Sequence, residues 1–169
     1  VPDALRDCGK AGIPFAIVLT AGFREGGAEG RRLEHELAMA AKEAGVRVIG
    51  PNCQGALSVP SRMWCVFGSV AHETGLKEGA VSCAFQSGGF GYAVVNLAEA
   101  QGIGFRNVVS TGNETDIAMP ELLEAMLDAV ECEIAVAVDG QDTLAKVKSF
   151  QPDLILLDVM MPRLSGFEV

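Results

Sequence analysis

Val46-Arg47-Val48-Ile49-Gly50-Pro51-Asn52-Cys53-Gln54-Gly55 is a short apolar run delivered straight into a Gly-bearing turn, and Ala80-Val81-Ser82-Cys83-Ala84-Phe85-Gln86-Ser87-Gly88-Gly89 repeats that arrangement further on. A strand that empties into such a turn before a helix is the building unit of a parallel α/β sheet. Chemistry in these folds collects at the turns beyond the strand ends.

Working outward, Pro2 suits a first helical turn and Gly12 closes a short helix. The continuous apolar run Phe15-Ala16-Ile17-Val18-Leu19, within 14–20, predicts a parallel strand buried on both faces. Glycines 22, 26, 27 and 30 mark a loop. Over 29–44, Leu33, Leu37, Ala40, Ala41 and Ala44 share one face of a crossover helix that stops at Gly45, with Arg and Glu on the other face. A strand at 46–49 enters the first turn. Residues 55–78, with Pro60, Gly68 and Gly75, hold no sustained period and read as an irregular connection. Strands at 80–85, 105–110, 133–138 and 154–159 then alternate with helices at 89–101, 120–130 and 141–150, with a loop at 111–119. The expectation is an α/β fold of parallel, doubly wound sheets.

The chain has 169 residues, 49% of them hydrophobic, enough for one large or two small globular, soluble domains. No run approaches the length of a membrane helix and no signal-peptide pattern opens the chain, so a cytoplasmic home is expected. Five cysteines without a C-x-x-C pair argue against a zinc knuckle, and the odd count argues against a disulfide framework. A net charge of -9 disfavours nucleic acid and anionic membrane as partners. The chain opens on Val1 and stops at Val169 after a loop, and reads as a fragment.

Two readings stand for each turn. Ser87, Gly88 and Gly89 form either a simple helix cap or a phosphate cradle of free N–H groups at the positive end of a helix. Pro51 and Asn52 suit a structural tight turn, and Cys53 is either a nucleophile or a small buried residue. Ser110, Gly112 and Asn113 lie in a polar loop expected on the same sheet edge as Ser87. His35 and His72 have no partner suggesting a triad, and no metal site is expected.

The segments Ala21-Gly22-Phe23, Val48 to Gly55, Phe85 to Gly89, Gly102-Ile103-Gly104-Phe105 and Ser110-Thr111-Gly112-Asn113 together resemble the NDP-forming acyl-CoA synthetases, relatives of the succinyl-CoA synthetase α subunit. The resemblance covers about residues 1–128. It implies the end of a Rossmann-like CoA-binding domain (1–54), a connection (55–78) and the first half of a flavodoxin-like domain (79–130). It further implies the conversion of acid, CoA and ATP to acyl-CoA, ADP and phosphate through an acyl phosphate and a phosphohistidine, with Mg and an ATP-grasp β-type domain or subunit as partner. Asn52, Cys53 and Gly55 would line the acyl and CoA site for acyl-CoA or acyl phosphate. Ser87, Gly88 and Gly89 would hold the phosphoryl group, with Ser110, Gly112 and Asn113 flanking. The family's CoA-phosphate loop and phosphorylated histidine have no counterpart here, so no catalytic set is complete and the chain alone is expected to be inactive.

Ala137-Val138-Asp139-Gly140-Gln141 with Pro152 to Pro162 and Ser165-Gly166-Phe167-Glu168 resembles the middle of a response-regulator receiver. Residues 131–169 would be a partial receiver-like β-α-β segment, with Asp158 in the phosphoacceptor position but lacking the acidic pair, Thr or Ser and Lys that activity requires. Two alternatives follow: a two-component signalling protein, and a chimeric scaffold without activity.

Overall fold

A computed structural model describes residues 1–68, 76–128, 133, 135–152 and 155. The chain divides into two compact units, Val1–Val130 and Glu131–Val169.

In the first unit, α1 (Pro2–Lys10) and α2 (Ala28–Ala44) accompany the parallel pair β1 (Phe15–Ile17) and β2 (Arg47–Ile49), in register Ala16 with Val48. Leu5, Val18, Phe23, Leu37, Ala41, Val46 and Val48 form the core between them. The apolar stripe read from α2 is the one it buries, and Gly45 ends the helix in the left-handed conformation that glycine adopts without a Cβ penalty. β1 is shorter and less buried than its apolar run suggests. Among the described residues it pairs only with β2, and Phe15 is 63% exposed.

A second sheet has the order β4-β3-β6-β5, built from β3 (Gly55–Ser58), β4 (Met63–Val66), β5 (Glu78–Phe85) and β6 (Phe105–Ser110). β5 and β6 run parallel through the crossover helix α3 (Gly88–Ala100), whereas β3 is antiparallel to both β6 and β4. The stretch expected to be irregular therefore contains a hairpin. It escapes notice because each strand has four residues, and Arg62, not a glycine, takes the left-handed position in the connection. Leu57, Leu76, Tyr92, Val95, Phe105 and Val108 make the second core. After β6 the loop 111–118 leads to α4 (Met119–Leu127), with Pro120 in its first turn.

In the second unit, α5 (Gly140–Phe150) is capped by Asp139, whose carboxylate accepts from the N–H groups of Gln141 (2.9 Å) and Asp142 (3.0 Å). The strand expected at 133–138 is not formed by its described residues, which lack a ladder partner, and Val138 is 76% exposed. Most of the strand expected at 154–159, including Asp158, lies outside the described residues. No described helix is long and apolar enough to cross a membrane.

Candidate functional site

Asn52 sits at the apex of the first turn with φ +57°, a left-handed geometry that Asn tolerates. Its N–H donates to the Thr20 carbonyl at 2.9 Å. The loop after β6 holds the turn from the other side. Asn113, Thr115 and Ile117 donate their N–H groups to the carbonyls of Pro51 (2.8 Å), Gly50 (3.1 Å) and Val48 (3.1 Å). Asp116 adds a carboxylate acceptor for the Val48 N–H at 2.7 Å, and Arg47 pairs with Asp116 and Glu121. Loop 111–118 thus continues the second sheet's polypeptide along the edge of the first.

The second turn begins α3. Ser87 occupies the N-cap position but makes no side-chain capping bond, and the N–H groups of Gly88, Gly89 and Phe90 donate to no described acceptor. Three unfilled donors at the positive end of a helix are what an anion binds. Gly88 packs tightly here: an added Cβ would meet Gln54 Cγ at 2.6 Å and Ser110 Oγ at 2.9 Å. The Ser110 hydroxyl, buried, accepts from the Gln54 N–H at 3.2 Å, and Gln54 Oε1 is buried with no described partner. Gln86 and Gly112 exchange two hydrogen bonds, at 2.9 and 3.1 Å. The two turns therefore meet, Gln54 against Gly88, with Ser110 and Gly112 between them.

Asn52 and Asn113 touch directly, Nδ2 of Asn52 donating to Oδ1 of Asn113 at 3.2 Å. Behind them lie two carboxylates absent from the sequence-based expectation. Glu25 accepts from Asn113 Nδ2 (2.7 Å) and from the N–H groups of Gly22 (2.6 Å) and Phe23 (3.0 Å). Desolvation raises its pKa, but these bonds together with its own N–H outweigh that effect and hold the carboxyl at about 2. Glu34, on α2, accepts from the same Asn113 nitrogen at 2.9 Å. The Arg24 guanidinium also donates to the Asn113 carbonyl. The only sequence signal for either carboxylate is a Glu on a charged helix face or beside glycines.

Cys53 is 3% exposed and its thiol points to the Val18 carbonyl at 3.5 Å, while burial raises its pKa. That is the small buried residue of the two readings, positioned behind the turn. Gly55 begins β3 at φ +103°, against the Cys65 carbonyl, and its own carbonyl accepts from Tyr92 Oη at 3.3 Å. Gly89 is exposed with open space where a Cβ would stand. His35 borders an open groove of about 270 Å³ with Arg24, Arg31, Glu34 and Thr115, behind the first turn. His72 and Asp158 lie outside the described residues.

Residues 78–142 match the family model of the succinyl-CoA ligase like flavodoxin domain. The chain is 39% identical over 124 residues to the acetate--CoA ligase [ADP-forming] I of Archaeoglobus fulgidus, covering 73% of this chain and 18% of that protein. It is 36% identical over 141 residues to the acetate--CoA ligase [ADP-forming] II subunit alpha of Pyrococcus furiosus, covering 83% and 30%. Among solved structures, the dinucleotide forming acetyl-coenzyme A synthetase 1 of Ca. Korarchaeum cryptofilum, in complex with phosphate and ADP, superposes with a TM-score of 0.67 at 38% identity, covering 73% of this chain and 25% of that one. A separate similarity, 44% over 45 residues, joins 27% of the chain to a third of Protein PilG of Pseudomonas aeruginosa.

The fold is α/β, and residues 78–142 are similar to a succinyl-CoA ligase like flavodoxin domain. The chain is similar to one segment of these ADP-forming CoA ligases, and spans less than a third of the length of the curated ligases it matches.

Proposed function

We propose that the first unit supplies the walls of a thioester-forming pocket in an NDP-forming acyl-CoA synthetase. In this reading Asn52, Cys53 and Gly55 form the acyl and CoA side, Cys53 as a buried support for the turn. Ser87, Gly88 and Gly89 hold the phosphoryl group, with Ser110, Gly112 and Asn113 closing the space between. The observation that carries the reading is the start of α3: three N–H donors with no described acceptor and an N-cap serine that does not fill them.

Each residue's task follows from its chemistry. The α3 N–H groups stabilise charge on phosphate oxygens in a fixed, preorganised array, and the helix dipole adds to the effect. Gly89 leaves the space an anion needs for close approach. The Ser87 hydroxyl is free to donate to the same oxygens. CoA, when bound, supplies the thiol that is acylated. The whole reaction would be acid, CoA and ATP to acyl-CoA, ADP and phosphate, with a nucleotide-binding β-type domain or subunit completing it. The name "subunit alpha" of the Pyrococcus furiosus relative supports that division of labour. The domain limits proposed are 1–54, 55–78 and 79–130. Mg has no assigned ligands, and no step is placed on it.

Titration of the ¹⁵N-labelled chain with inorganic phosphate and with acetyl phosphate tests the reading. The amides of Gly88, Gly89 and Phe90 should shift together and saturably. Shifts scattered over the surface, or none at these three, would overturn it.

For residues 131–169 we propose a receiver-like segment with Asp158 at the acceptor position, supported by the sequence resemblance. Mass addition at Asp158 on incubation with acetyl phosphate and Mg²⁺, lost in Asp158→Asn, would make it a working acceptor.

A further inference from the structure

Glu34 belongs to the charged face of α2, yet it is only 8% exposed. A buried carboxylate is costly unless donors surround it. Here they do: the Arg24 N–H at 3.0 Å, the Thr115 hydroxyl at 2.8 Å and Asn113 Nδ2 at 2.9 Å, with the Arg24 guanidinium at 3.6 Å. None of these donors lies on α2. All come from the loop after β1 or the loop after β6, so Glu34 ties the two loops to the helix.

The amide of Asn113 is the informative member. Its nitrogen faces both Glu34 and Glu25, and carboxylate oxygens that accept leave no choice about which end of the amide faces them. Oδ1 is therefore turned toward Asn52, whose Nδ2 donates to it. A lone pair of asparagines would have no such preference, because flipping both amides exchanges donor for acceptor at equal energy. Two carboxylates on one side remove the degeneracy: the flipped Asn113 would set its oxygen against two acceptors. The choice passes on to Asn52. Its nitrogen is committed, and its Oδ1, on a half-buried residue in the first turn, accepts from no described donor.

We propose that Glu34 and Glu25 are positioning residues that act through Asn113 to orient Asn52, so that Asn52 Oδ1 is the acceptor offered to the substrate. The group that meets it is a hydrogen-bond donor, the thiol or an amide N–H of a pantetheine arm, and the anionic phosphoryl group belongs at the α3 end. This rests on the pocket reading above and adds to it two residues and a polarity.

The experiment uses the full ¹⁵N-labelled chain with pantetheine and inorganic phosphate as separate probes. In the unliganded wild type, the side-chain NH2 of Asn52 should give a single sharp set of resonances, as one amide orientation requires, and pantetheine should move it. Glu34→Gln keeps the shape but can present either end of its amide to Asn113. It should broaden or double the Asn52 set, as two amide orientations become populated, and weaken pantetheine binding about tenfold, roughly one hydrogen bond. The phosphate-induced shifts at Gly88 and Gly89 should be unchanged, which a general loss of structure would not allow. Should Glu34→Gln fail to fold, Glu25→Gln, at an exposed residue, is expected to weaken pantetheine binding in the same direction. Unchanged pantetheine affinity in a folded variant, with wild-type binding intact, overturns the positioning role alone. A wild-type chain that binds neither probe overturns the pocket reading and this proposal with it.

Discussion

A Cβ placed on Gly88 would lie 2.9 Å from the Ser110 hydroxyl oxygen, so the first residue of α3 and the last of β6 are in contact with no room between them. The same methyl would meet Gln54 Cβ at 2.7 Å. Three chain segments far apart in sequence are joined at this point.

Gly88→Ala should therefore cost about 1–3 kcal/mol through overpacking, even though alanine is the better helix former. Urea denaturation followed by circular dichroism measures it. A variant as stable as the wild type would show that the contact gives way easily.

Gly89→Ala should behave in the opposite way. Nothing crowds that position, so the substitution is expected to stabilise the fold by ~0.5 kcal/mol through reduced unfolded-state entropy and better helix propensity. Phosphate binding at α3 should nonetheless weaken severalfold, because the methyl occupies the approach of the anion. A gain in stability with phosphate affinity intact would remove the functional reason for a glycine there.

Glu25 sets a pH dependence. Its carboxyl is held at about 2 against an ordinary 4.5, so its contribution is full above pH 4.5 and is lost as the pH falls toward 2. At this exposed position solvent screening limits the contribution to about 1 kcal/mol. Comparing wild type with Glu25→Gln at about pH 6 and about pH 3 isolates it from the other carboxylates: the gap between the two proteins should be larger at the higher pH. A pH-independent gap would contradict the depressed pKa.

Cys53 and Cys65 should separate under native alkylation. Cys65 is exposed on β4, while Cys53 is buried and disfavoured as a thiolate. Iodoacetamide at neutral pH followed by peptide mass mapping should label Cys65 first and Cys53 only on unfolding. Rapid native labelling of Cys53 would restore it as a candidate nucleophile.

Much of the first unit is legible in the residues alone. The helical stripe from Leu33 to Ala44 with its glycine stop, and the order of strand, turn and helix around Ser87, are local patterns that neighbouring residues settle. The hairpin from Gly55 to Val66 is not, since four-residue strands are too short for a period to show and its tight connection turns on an arginine. Nor are Glu25 and Glu34 recognisable as parts of the site. Their donor Asn113 lies 88 and 79 residues away, and a charged residue on an amphipathic helix gives no sign that a distant loop will bury it. The described residues of the strand expected at 133–138 form no ladder, and apolar residues make a strand only where a neighbour accepts their backbone bonds.

The chain passes from Ile49, in the first sheet, to Gly55, in the second, by way of the Asn52 turn, and loop 111–118 crosses back beside it, bonded to β2. Both crossings lie at one place. If the two sheets tilt against each other, that place is the pivot, and displacement is smallest at a pivot. Asn52 and Asn113 therefore stand where such a tilt would disturb geometry least, so the geometry of this pair depends on where the chain crosses between sheets as much as on the stiffness of either sheet.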